Sequence, residues 1–220
     1  MTALVASAAP AGSASGSLDV GRRLMAFNWL TAGYAHRDWL GPWAEILEPR
    51  RSASLRLIRR ASIVLLDRYD LRERYVRDIG GHAWLMQPHE QLVRMADVLG
   101  TAMLGGWVKS RLERQEVAQQ LRVLGAERRQ RALEYAQNLR ALPFPGALGA
   151  WPVPLTGSAA IFRLGVSCMG ALLDDAHSGA RERYTLRFAA GMVTPLVLSP
   201  TQRDEGLALI HTTLANLPAA

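Results

Sequence analysis

The sequence predicts an all-α protein, and three observations carry that prediction. Apolar residues recur at helical spacing through most of the chain, as at Leu92, Met95, Ala96, Leu99 and Met103. Period-two alternation bounded by turn residues is scarce, and only Met192 to Leu198 reads as an extended piece. Helix start and stop signals fall where the periodicity begins and ends, as at Gly125 and at Ser199-Pro200-Thr201-Gln202. The reading is one compact helical domain over 18–218, a bundle or orthogonal helical array, behind a disordered Ala/Ser/Gly-rich tail over 1–17. At 220 residues the chain is long enough to bury a sizeable core.

The elements follow in order. Leu18 to Gly33 reads as a helix, with Asp19 near its start and Gly33 as its stop. His36 or Asp38 then opens a short turn, and Pro42 permits a second short helix to Leu47. Pro49 interrupts, and Ser52 or Ser54 caps a helix from about Leu55 to Tyr69. In that helix Leu55, Ile58, Leu65, Leu66 and Tyr69 share one arc, which Leu57, Ala61 and Val64 extend. Arg56, Arg59, Arg60 and Asp67 fill the polar sector. So wide an apolar arc predicts a central helix contacted from more than one side.

Pro88 opens the next helix, and Gly105-Gly106 should bend or break it. Val108 to Leu124 reads as one amphipathic helix ending at Gly125, and Ala126 to Leu139 as another. Residues 143–158 hold four prolines and three glycines and form a loop. The helix after it, Ala159 to Leu173, has too little polar surface to stand alone, which argues for one domain. Ser199, Pro200 and Gln202 form a capping box for a last helix to about Leu217.

Several chemistries find no support. The single cysteine, Cys168, excludes an internal disulfide and a Cys-based zinc site, and its apolar surroundings predict a buried, inert thiol. Carboxylates stand beside a histidine in Asp174-Asp175-Ala176-His177, a set without a fourth ligand that reads as a helix end. There is no His-Glu-x-x-His, Gly-x-Ser-x-Gly, P-loop or Gly-x-Gly-x-x-Gly. The expectation is a non-enzymatic protein with no cofactor, no metal and no small-molecule substrate. Met1 to Ser17 lacks the basic and apolar regions of a signal peptide. The apolar stretches 92–108 and 153–173 are interrupted by Arg94 with Asp97 and by Arg163 with glycines, so neither reads as a membrane span. A cytoplasmic protein is expected.

Net charge is +7, carried almost wholly by arginine, since Lys109 is the one lysine. Arg50, Arg51, Arg56, Arg59 and Arg60 put five positive charges and no acid into residues 50–60, a candidate surface for an acidic partner. Arg128, Arg129 and Arg131 form a second cluster, interleaved with Glu127 and Glu134 as a salt-bridged solvent face would be. Those carboxylates argue against a phosphate-reading surface, so an Arg-rich nucleic-acid-binding regulator is the alternative reading.

The stretch Phe27 to Leu40 packs four aromatics, an Asn and a His into fourteen residues. It resembles the signature of the YscK/SctK family of type III secretion accessory proteins, Phe-Asn-x-x-Pro-x-x-Tyr-x-His-Pro-Ser-Trp-Leu. Phe27, Asn28, Tyr34, His36, Trp39 and Leu40 fall in register, while Thr31, Arg37 and Asp38 replace both prolines and the serine. Weaker likenesses are Leu124-Gly125 before a helix with Leu133 and Tyr135, and the segment Arg183 to Phe188. The resemblance implies an all-helical adaptor of the secretion sorting platform, at the cytosolic face of the inner membrane and touching the membrane only indirectly. It implies two partners, the cytoplasmic domain of the inner-membrane ring protein and the SctQ-type pod protein. The residues themselves predict a buried staple, with Asn28 and His36 as hydrogen-bond partners for the aromatics. Trp39 is expected in the core, and Trp43, beside Pro42 and Glu45, partly exposed as a partner anchor.

Overall fold

The computed structural model describes residues 13–47, 53–142, 157–173 and 178–216, and every regular element in them is helical. In chain order these are α1 (Ser13–Trp29), α2 (Arg37–Leu40), α3 (Trp43–Ile46), α4 (Leu55–Arg68), α5 (His89–Met103) and α6 (Gly105–Ser110). Then come α7 (Arg114–Leu124), α8 (Ala126–Asn138), α9 (Ser158–Leu172), α10 (Ser178–Thr185) and α11 (Pro200–Ala215), with 3-10 turns at Thr31–Gly33 and Gly80–Met86.

The helix with the least polar surface takes the centre. Residues 164–172 of α9 are buried without interruption, because nothing on that stretch needs water. It lies against α5, whose Leu92, Met95, Ala96, Leu99 and Met103 are buried at the predicted spacing. The two backbones nearly touch. A methyl group at Gly100 would run into the Ile161 carbonyl, and one at Gly165 into the Ala96 carbonyl, so both positions require glycine. α11 packs on α5 and α9, α8 packs on α5 and α6, and α7 packs on α8.

A smaller core sits at the N-terminal side. Ala32, Ala35, Leu40, Leu47, Ala61, Leu65, Leu66 and Leu71 close on one another together with Leu186. α4 belongs to this cluster, with Ser54 as its N-cap. The expectation of a central α4 therefore fails: Leu55, Ile63 and Val64 remain exposed, since α1, α2 and the first 3-10 turn cover only part of its apolar arc.

Other boundaries also move, for tertiary reasons. α1 begins at Ser13, inside the stretch expected to be a tail, and residues 1–12 lie outside the described residues. It ends at Trp29, not Gly33, where the chain turns and the Ala32 amide donates to Ser62 Oγ at 3.0 Å on α4. The helix expected over 108–124 breaks between Ser110 and Arg114, and the buried Gln120 side chain donates to the Arg111 carbonyl at 2.8 Å to hold the break. α10 has no counterpart in the expectations. Met192 to Leu198 forms no strand, and the capping box of α11 forms as expected. The Pro/Gly-rich loop falls outside the described residues except for Gly157 and Ser158.

Candidate functional site

The motif residues are drawn together at the end of α1. Phe27 is buried and Tyr34 stacks on it, with ring centroids 5.6 Å apart and planes 14° from parallel. The Tyr34 hydroxyl donates to the Phe27 carbonyl at 2.6 Å, and burial pushes that phenol up to about 12. Asn28 is buried and uses both ends of its amide. Nδ2 donates to the carbonyls of Val76 at 2.8 Å and Leu24 at 3.1 Å, while Oδ1 accepts from the Val76 amide at 3.0 Å. An isosteric Asp or Leu lacks that pairing of donor and acceptor, so the position demands Asn. The effect is to pin the irregular segment 70–79 against α1.

The second half of the motif reaches far along the chain. His36 caps α2 by accepting from the Asp38 amide at 3.3 Å, and its own amide donates to the Leu186 carbonyl at 2.6 Å. Asp38 Oδ2 accepts from the Ala190 amide at 3.1 Å, and Trp39 Nε1 donates to the Phe188 carbonyl at 2.7 Å. Leu40 is buried in the smaller core. Trp39 and Trp43 are both half-buried against it, Trp39 edge-on to Tyr69 at 5.7 Å.

Two arginines complete this clasp from the other side; the sequence named their segment, Arg183 to Phe188, only as a weak likeness and gave neither arginine a role. Arg187 lies 5.4 Å over the Tyr34 ring and donates to the carbonyls of Leu85 and Gln87. Arg183 donates to the carbonyls of Leu71, Arg74 and Gly179. Burial pulls Arg187 down to about 10 and lowers Arg183 as well, since the acceptors are neutral carbonyls. The available signal was two arginines four apart among Tyr184, Leu186 and Phe188. The clasp therefore joins 27–40 to 183–190, segments more than a hundred residues apart in the chain.

The basic cluster is a separate feature. Arg50 and Arg51 lie outside the described residues, whereas Arg56, Arg59 and Arg60 are exposed on α4. Among the described residues no carboxylate lies within ion-pair distance of these three or of Arg22 on α1. The second cluster behaves differently: Arg128 pairs with Asp97 at 2.6 Å and Arg131 with Glu127 at 3.5 Å, while Arg129 Nε donates to Gln120 Oε1 at 2.9 Å.

Between α1 and α4 runs a groove of about 750 Å³. Ala26, Leu30 and Leu66 line its floor, Met25, Trp29 and Ile63 its sides, and Arg22 and Arg59 also face it. Met25 is 58% exposed, Trp29 46% and Ile63 49%, so the groove presents a contiguous apolar surface to solvent. Trp29 leans on Tyr75 at 5.9 Å, which holds its ring in place. Met25, Trp29 and Ile63 were absent from the sequence-derived candidates. Their signal was a second stripe on α1, with Arg22, Met25 and Trp29 at i, i+3 and i+7 beside the inward Leu24, Phe27 and Asn28.

No protein-family model, curated protein or solved structure matches this chain. Among the described residues no group of three or more His, Cys, Asp or Glu is placed to hold a metal ion, and Asp174 to His177 lie outside them. No helix among the described residues is long and apolar enough to cross a membrane. Cys168 is buried in α9, and that burial pushes its thiol up to about 12.

Proposed function

We propose that this chain is a non-enzymatic protein-docking adaptor of a bacterial type III secretion sorting platform. In this role it links the cytoplasmic domain of the inner-membrane ring protein to the SctQ-type pod protein, on the cytosolic side of the inner membrane. The observation that carries a docking role is the α1–α4 groove, where Met25, Trp29 and Ile63 stand in solvent beside arginines that have no counter-ion among the described residues. An exposed apolar surface with a charged border is what a protein partner covers. The choice of partners rests on the resemblance of residues 27–40 to the YscK/SctK signature. The six matching residues build the clasp behind α1, which fixes the helix that presents the groove on its other side.

The test is co-purification of the full chain with the ring-protein cytoplasmic domain and with the pod protein from the same secretion system. A stable complex with at least one of them is expected, and Arg56→Glu with Arg60→Glu should weaken it while leaving the thermal melt unchanged. Failure to bind either protein removes the secretion reading. DNA binding that falls steeply with salt would favour the nucleic-acid regulator instead.

A further inference from the structure

We infer that the α1–α4 groove receives one acidic amphipathic helix from a partner protein. The inference rests on the adaptor reading only in taking the occupant to be protein. Its first basis is shape. The α1 side of the groove runs from Gly21 to Trp29 and on to Leu30, and at 1.5 Å per residue its helical part is ~12 Å, the length of a little over two turns of a docked helix. Met25, Trp29, Leu30 and Ile63 then offer apolar seats for residues at i, i+3 or i+4, and i+7 of that helix.

The second basis is charge. The residues lining the groove are apolar except for Arg22 and Arg59, and none is acidic. Arg56 and Arg60 continue the same flank of α4 one turn before Ile63, at i, i+4 and i+7. These four cations have no ion-pair partner among the described residues, whereas Arg23 beside them is held by Asp19 at 2.8 Å. A helix carrying Asp and Glu along the edges of its apolar stripe supplies the missing counter-charges, and a basic helix meets like charge on both rims.

Other occupants fit less well. A second copy of this chain brings its own net charge of +7, and a two-fold contact through the groove brings the same lining, with Arg22 and Arg59 and no acid, from both sides. Nucleic acid needs a track of phosphate donors, and here the floor is Ala26, Leu30 and Leu66.

The experiment selects displayed helices of ~12 residues, apolar at i, i+3 or i+4 and i+7 and randomised elsewhere, on the intact full-length chain. Enriched helices should carry net negative charge and bind Ile63→Glu and Arg59→Glu at least ~10-fold more weakly than wild type. Both positions are exposed, so a melt matching wild type is the folding control, and Met25→Glu replaces Ile63→Glu if the latter melts low. Enrichment of neutral or basic helices overturns the proposal. So does undiminished binding to Ile63→Glu, or enrichment no greater than on that variant. Binding of DNA or of phosphatidylglycerol vesicles that is lost in Ile63→Glu, with no acidic helix selected, overturns it as well. The ring and pod co-purifications separate the two readings. If those proteins bind wild type and Ile63→Glu alike and no acidic helix is enriched, the adaptor stands and the groove fails. If acidic helices are enriched while neither protein binds, the groove stands and the secretion reading fails.

Discussion

Replacing Asn28 with alanine should be among the most damaging single changes in the 27–40 motif, and the magnitude can be worked from its three hydrogen bonds. The substitution leaves the Val76 amide and the Val76 carbonyl without the partners they have at 3.0 Å and 2.8 Å, and Val76 is buried. The Leu24 carbonyl, also bonded, lies within a helix and loses less. Each orphaned buried backbone group costs about 1–3 kcal/mol. Two of them predict roughly 2–6 kcal/mol, and water reaching in beside the exposed Tyr75 and Arg77 offsets part of it, leaving ~2–4 kcal/mol. Against a total stability of ~5–15 kcal/mol this is a large fraction. At ~2–4 °C per kcal/mol for a chain of this size, the melting temperature should fall by roughly 5–15 °C. Thermal unfolding followed by far-UV circular dichroism reads the shift, and amide hydrogen exchange at Val76 reads its cause. Asn28→Asp retains an acceptor for the Val76 amide but turns its donor into an acceptor facing two carbonyls. It should destabilise at neutral pH and partly recover once the carboxyl protonates. An Asn28→Ala protein that melts within ~1 °C of wild type with Val76 still protected would refute the account of Asn28 as the pin between α1 and segment 70–79.

Gly165→Ala should destabilise by at least about 3 kcal/mol or abolish soluble folded protein, because the new methyl meets the Ala96 backbone, which cannot rotate aside. Gly21→Ala, in open space on α1, should instead stabilise by about 0.5–1 kcal/mol, and denaturant midpoints compare the two. Glu205 accepts from the amides of Arg140, Ala141 and Leu142 at 2.9, 2.9 and 2.7 Å. Burial alone would push its pKa up, but those three donors together hold the carboxyl below its usual 4.5. A depressed folded-state value means stability that is present above the unfolded value and lost as pH falls through the folded one. Glu205→Gln should therefore melt below wild type at neutral pH, with the gap closing on acidification. A gap that stays constant with pH would show that the carboxylate charge is not what matters.

The sequence by itself determined most of the stretches that are helical, α10 excepted, and several of the points at which they start. Ser54, His36 and the Ser199–Gln202 box act through bonds to residues two or three positions away, and α5 follows a repeat that any helix of that pattern must present to a core. These are local relations, so they can be read without knowing what lies opposite. The tertiary structure decided everything that depends on the opposite partner. Periodicity reports how wide an apolar face is, not what covers it; α4 looked central on that measure, yet one flank of its arc is left open as a groove. The break before α7 required the Arg111 carbonyl to meet Gln120, and α10 required Arg183 to find carbonyls at 71 and 74. Asn28 and Trp39 of the clasp were legible as polar and aromatic groups in need of partners, and Asp38 only as a turn opener. Which groups satisfy them, at Val76, Ala190 and Phe188, follows from chain reversals that bring together residues up to 152 positions apart, and no local pattern encodes that distance.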